Sequence, residues 1–194
     1  MKILIISFAT LFQSLTAQYR PIYENCGLSE QLDYLTFIRA MARFQSAKSN
    51  IPIYTIIDMN KPSTEPRLFV IDIESERLLH ASHVAHGRAS GDIYARRFSN
   101  RLGSHCTSPG LYRTAETYFG RNGYSLRLDG LDFGVNHNAR LRGVVIHPSD
   151  YASPSTIIKR GTLGRSLGCP ALPPELSQEI INTIKNGSLL YIAN

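Results

Sequence analysis

Apolar and polar positions follow two different rhythms along this chain, and the change of rhythm falls near Ile51. Before it, Leu28, Leu32, Leu35, Ile38, Met41, Ala42 and Phe44 recur close to every 3.6 residues, which predicts an amphipathic helix over residues 28–48. Asn25 or Ser29 is placed to cap its start, and Asn50 with Pro52 to stop it. After it, the apolar runs are short and rich in β-branched and aromatic residues. Residues 53–57, 68–73, 110–114, 124–128, 143–147 and 189–192 read as strands. A proline-bearing polar stretch, 60–66, separates the first two, and Arg121-Asn122-Gly123 and Asp129-Gly130 signal turns among the later ones. Pro173-Pro174-Glu175 then opens a last helix to Lys185, with Leu176, Ile180, Ile181 and Ile184 on its apolar side and Gly187 as a left-handed cap. Many short strands with a helix near each end predict a mainly β fold, a β-sandwich or barrel decorated by an N-terminal and a late C-terminal helix. The strands do not alternate with helices and no glycine-rich phosphate loop is present, which argues against a nucleotide-binding α/β fold.

The 194 residues suffice for one well-buried domain. Residues 1–17 read as a secretory signal: Lys2 is the charged region, Ile3 to Leu11 the apolar run, and Ala17 the small residue before the cut. That run is well short of the roughly 20 residues a membrane span needs, so no span is expected after cleavage. The expected organisation is a signal over 1–17, a helical extension packed on the body over 18–50, and a β-rich body over 51–194, in a monomer exported to the periplasm or cell envelope. Cleavage removes Lys2 and no acid, which takes the net charge from +6 to +5. The basic residues are scattered, Arg96-Arg97, Arg101 and Arg140/Arg142 being the densest groups. In an exported chain this suits an anionic envelope polymer better than nucleic acid. Three cysteines leave one unpaired if the others bridge. Either Cys26 and Cys106 form a disulfide and Cys169 is the odd thiol, or all three are buried and free; spacing does not decide.

Cys169 has the reactive surroundings. It follows Gly168 and precedes Pro170 in Arg165-Ser166-Leu167-Gly168-Cys169-Pro170, while His147 ends the apolar run Val144-Val145-Ile146-His147. Thiol catalysis needs a thiolate, a base to form it and backbone N–H groups for an oxyanion. His147, at a strand end, is the expected base, oriented by a carbonyl of Pro148 or Ser149 or by the carboxylate of Asp150. Gly168 admits close backbone approach, the Ser166 hydroxyl can brace the turn or touch substrate, and Arg165 can clamp a carboxylate.

The segment from His147 through Ser166-x-Gly168-Cys169-Pro170-Ala171-Leu172-Pro173 resembles the catalytic segment of the L,D-transpeptidases (YkuD-like fold), and more narrowly their exported murein branch. Four further pieces resemble it in order: residues 83–91, Phe98-Ser99-Asn100, residues 107–112 and residues 120–131. Together they cover about two-thirds of the chain. The resemblance implies a peptidyl transfer on peptidoglycan stem peptides. Cys169 would attack the carbonyl at the L-centre of the third residue, usually diaminopimelate, expel D-alanine, and pass the acyl group to an amine or to water. It implies His147 as the base, a strand near His80 to His86 with His86 and Arg88 at the substrate rim, and no metal or cofactor. The chain departs from the broader family in having Leu167 where a second histidine is usual, and Pro170-Ala171 after the thiol.

His80, His83 and His86 recur every third residue. On a helix they would share a face and suit zinc; on a strand, neighbours at that spacing point to opposite faces, and the outer two stand about 20 Å apart. Two rival readings are thus a zinc-dependent murein peptidase and a non-catalytic cell-wall binding module of the same fold. Ser82, His83, Gly87, Ala89 and Asp92 faintly resemble D-Ala-D-Ala metallopeptidases, with the glycine and aspartate at other offsets.

Overall fold

The computed structural model describes residues 8–194; the start of the expected signal, residues 1–7, lies outside them. In chain order the elements are α1 (Phe8–Asn25), α2 (Tyr34–Ala47), β1 (Ile53–Asp58), β2 (Leu68–Asp72), β3 (Arg77–Ser82), β4 (Gly110–Gly120), β5 (Gly123–Gly130), β6 (Val145–Pro148), α3 (Pro154–Arg160), β7 (Ala171–Leu172), α4 (Pro174–Ile184) and β8 (Leu189–Ala193). The strands form one eight-stranded sheet in the order β3-β2-β1-β8-β4-β5-β6-β7. β1 with β8 and β6 with β7 pair in parallel, and the remaining pairs are antiparallel.

Strand alternation sorts the core into two layers. Tyr54, Ile56, Phe69, Ile71, Leu111 and Leu189 face one side, where they bury Phe37, Ile38 and Met41 of α2 with Tyr19, Ile22 and Tyr23 of α1. Ile57, Leu68, Val70, Tyr112, Leu190 and Ile192 face the other, against Leu126, Leu128 and Ile146 and the α4 residues Ile180, Ile181 and Ile184. Each such side chain contributes roughly 1.5–3 kcal/mol when fully buried. Mainly β architecture with helices at both ends is therefore as expected.

Several local expectations need correction. α2 begins at Tyr34, because the Asp33 carboxylate accepts from the Thr36 N–H at 2.9 Å. Leu28 and Leu32 belong to a turn between the helices, opened by Gly27 at φ +62°, and Asn25 spends its amide on Glu76 instead of capping. Leu35, assigned to the apolar face, is 51% exposed, whereas Phe37 is fully buried. Asp129-Gly130 is no turn: Gly130 pairs with Tyr112 inside β5, and a Cβ there would lie 2.0 Å from the Asn136 carbonyl oxygen. The hairpin turn is Arg121-Asn122, between Gly120 and Gly123. α4 opens at Pro173-Pro174 as expected, but Lys185 leaves it in extended conformation, and Asn186 is the first left-handed residue, ahead of Gly187. α3 and β7 had not been foreseen. All three cysteines are free; Cys26 is buried in the α1–α2 layer, and no Cys26–Cys106 bridge forms.

Candidate active site

Three extended segments lie side by side at the far edge of the sheet. His147 of β6 stands in register with Ala171 of β7. Ala171 exchanges hydrogen bonds with Ala85, at 2.8 and 3.2 Å. One turn earlier, the Ser166 N–H donates to the His86 carbonyl at 2.9 Å and the Arg88 N–H to the Ser166 carbonyl at 2.8 Å. The turn Ser166 to Pro170, which carries Cys169, is thus fastened on one side to the chain after β3 and on the other to β6. Cys169 and His147 line one cavity of about 500 Å³, with Arg121 and Asn122 from the β4–β5 turn and Arg142, Tyr151 and Arg165 around it.

Side chain and backbone hold the turn tightly. The Ser166 hydroxyl donates to the Cys169 carbonyl at 2.6 Å and accepts the Gly168 N–H at 3.0 Å. Gly168 has φ +125°, and a Cβ on it would lie 2.8 Å from the Cys106 carbonyl oxygen. Gly87 is equally constrained, since its Cβ would lie 2.5 Å from the His105 carbonyl oxygen and 2.9 Å from the Gly168 Cα. Arg142 ties the 99–108 loop to the site, donating to the Ser99 carbonyl at 2.8 Å and the Cys106 carbonyl at 2.6 Å. The Gly168 N–H is occupied by the Ser166 hydroxyl, whereas the Cys169 N–H has no acceptor among the described residues.

The protonation states follow from burial. His147 is 5% exposed, and its Nδ1 lies 3.0 Å from the Pro148 carbonyl. A carbonyl only accepts, so Nδ1 carries the proton and Nε2 keeps its lone pair. Burial lowers the imidazole pKa below its ordinary 6.5, the Pro148 bond opposing, so the ring is neutral at pH 7. The Cys169 thiol, 3.6 Å from the Gly143 carbonyl, is pushed up by burial, with the Val145 N–H and the Arg142 guanidinium pulling it down. At rest the two residues are therefore a thiol and a neutral imidazole lining one cavity, the thiol turned to the Gly143 carbonyl and the imidazole to the Pro148 carbonyl.

The other residues singled out from sequence are placed differently. Arg165 lines the cavity but pairs with Asp92 at 2.9 Å. Arg88 lines an adjoining cavity and donates to His105 Nδ1 at 3.0 Å. His86, expected at the substrate rim, is 1% exposed: its Nδ1 accepts from the buried Arg67 at 2.8 Å, and burial together with that guanidinium lowers its pKa to about 4. It reaches the Cys169 turn through its backbone carbonyl, which accepts the Ser166 N–H. His80 pairs with Thr183 and His83 with the Thr64 carbonyl, so the three histidines do not converge, and no group of three metal-ligating side chains occurs among the described residues. Arg142 and Tyr151 also line the cavity, and neither a lone arginine in a loop nor a tyrosine in Pro148-Ser149-Asp150-Tyr151 carries a sequence signal of it.

Residues 28–193 match the family model of the L,D-transpeptidase catalytic domain. The chain belongs to that family. Among solved structures, the chain is similar to an L,D-transpeptidase from Mycobacterium smegmatis at 12% identity and TM-score 0.45, covering 74% of this chain and 59% of that one. It is similar also to L,D-transpeptidase 3 from Mycobacterium tuberculosis, at 12% identity and TM-score 0.47, covering 74% and 61%. A third likeness, to an L,D-transpeptidase from Xylanimonas cellulosilytica, has 14% identity and TM-score 0.42, covering 79% and 69%. The chain thus spans about six-tenths of the length of the first two. No curated protein sequence matches it.

Proposed function

We propose that this protein is a cysteine peptidyltransferase of the cell envelope that acts on peptidoglycan tetrapeptide stems. The observation that carries the reading is the joint placement of Cys169 and a neutral, Nδ1-anchored His147 in one open cavity. His147 Nε2 takes the thiol proton as the sulfur bonds to the carbonyl carbon at the L-centre of diaminopimelate. The oxyanion that forms faces the Cys169 N–H. Collapse breaks the peptide C–N bond, the imidazolium returns its proton to the leaving nitrogen, and D-alanine departs. An acceptor amine then loses a proton to His147 and attacks the thioester; the C–S bond breaks and the thiol is restored. An acceptor diaminopimelate gives a 3→3 cross-link, and water gives L,D-carboxypeptidase activity. Export is part of the reading. Cleavage after Ala17 leaves the buried α1 residues Tyr19, Ile22 and Tyr23 in the mature chain, whereas none of residues 13–17 is buried. No described helix is long and apolar enough to cross a membrane.

The test is incubation with a disaccharide-tetrapeptide, followed by chromatography and mass spectrometry. Free D-alanine with a 3→3-linked dimer, a tripeptide, or both is expected, undiminished by a chelator. Murein binding without D-alanine release would instead identify a non-catalytic module, and chelator-sensitive cleavage a metallopeptidase.

A further inference from the structure

A second cavity, of about 310 Å³, opens beside the first, and Tyr151 and Arg165 line both. Three exposed arginines line it from three separate segments: Arg88 after β3, Arg160 in the last turn of α3, and Arg165 before the nucleophile. No acidic side chain is part of its lining; the Asp92 carboxylate that pairs with Arg165 lies outside it. The Arg160 side chain makes no hydrogen bond or ion pair among the described residues. The floor is firm, because the Gly164 N–H donates to the Tyr151 carbonyl at 2.8 Å and a Cβ on Gly164 would lie 2.4 Å from the Tyr151 Cβ. Arg88 is steadied by its bond to His105 Nδ1 at 3.0 Å.

Like charges gathered in one basin repel, and an anion seated among them relieves that repulsion. Planar guanidinium groups match a carboxylate best, in a bidentate fork. We propose that this second cavity is a carboxylate subsite for a stem peptide whose reacting carbonyl or amine is at Cys169, an inference that rests on the function proposed above. Diaminopimelate supplies such a group at the end of its side chain. The carboxylate belongs either to the acyl donor or to the acceptor, in which it neighbours the attacking amine. Tyr151 and Arg165, which line both cavities, join this subsite to the cavity that holds the sulfur.

Arg160→Ala tests this, since the residue is exposed and its removal leaves the core untouched. Two tetrapeptides are compared, one natural and one with the diaminopimelate side-chain carboxylate converted to a carboxamide. Arg160→Ala removes a charge-assisted hydrogen bond, so a loss of about tenfold or more in kcat/KM is expected for the carboxylate peptide. The carboxamide peptide should show none. A loss already present in D-alanine release assigns the carboxylate to the donor; a loss confined to dimer formation assigns it to the acceptor. Equal effects on both peptides, or none on either, overturn the subsite. Calorimetric binding of the two peptides to Cys169→Ala, with and without Arg160→Ala, reads the subsite independently of turnover. Preference for the carboxylate peptide that Arg160→Ala abolishes supports it even if the reaction proves different, and equal binding of the two peptides contradicts it.

Discussion

Replacing His147 with alanine is expected to slow acylation of Cys169 by about 10²- to 10⁴-fold, the usual worth of a positioned general base. The resting thiol is raised by burial and the imidazole lowered, so no preformed thiolate–imidazolium pair carries the reaction when the base is lost. The pH profile should change with the rate. In the wild type, the neutral imidazole is the active form, and activity falls as pH drops through a value below 6.5. In His147→Ala that acid limb disappears. The remaining rate then follows the thiolate fraction and is still climbing above pH 9, because burial holds the thiol above its ordinary value. D-alanine release measured between pH 5 and 10 checks both points. Circular dichroism guards against unfolding, since the substitution leaves only the Pro148 carbonyl without its side-chain partner. An unchanged rate or a retained acid limb would show that another group serves as base.

The second large effect is on stability, at Arg67. This side chain is fully buried, yet it is charged at neutral pH even with burial lowering its pKa to about 10. Its Nε and Nη2 donate to the Val84 carbonyl at 3.0 and 2.8 Å, its Nη1 to the Lys61 carbonyl at 3.0 Å, and its Nη2 also to His86 Nδ1 at 2.8 Å. Lysine keeps the charge but cannot form a planar fork. Arg67→Lys therefore leaves buried acceptors unpaired, at about 1–3 kcal/mol each, and an overall loss of about 3–5 kcal/mol is expected. The urea midpoint of unfolding measures it. A loss below about 1 kcal/mol would mean that the cluster relaxes around the smaller head, for instance by admitting water.

Arg67 also marks where the sequence stops being legible. A charged residue between Pro66 and Leu68 reads as a solvated strand end, and nothing local reveals that it closes the space under Val84 and His86. The strands β1, β2 and β8 were readable because they are central and buried on both faces, so their apolar runs are nearly continuous. The α1–α2 boundary was not. Leu28 and Leu32 fit the helical period although they fill a turn, and the true cap, Asp33, competes on sequence with Ser29. Asp129-Gly130 misleads for a related reason. Glycine there answers a close backbone approach by Asn136, which the sequence writes in the same way as a turn.

At the site, a glycine turn and a strand end suggest Cys169 and His147 as a thiol–histidine pair, the family resemblance singles them out, and the two line one cavity. Arg121, Arg142 and Tyr151 reach it from distant segments, and only the order of the outer strands brings them there. His86 was legible as important but not in its placement; its ring serves the buried arginine, and its carbonyl holds Ser166.

Intact-mass spectrometry of the folded, reduced protein with meropenem shows whether Cys169 is the acyl-accepting nucleophile. A thiolate that opens the β-lactam ring expels nothing at that step, so the protein should gain one whole carbapenem mass, located at Cys169 by peptide mapping and missing from Cys169→Ala. No adduct on the wild-type protein, or equal labelling of Cys169→Ala, would contradict the account.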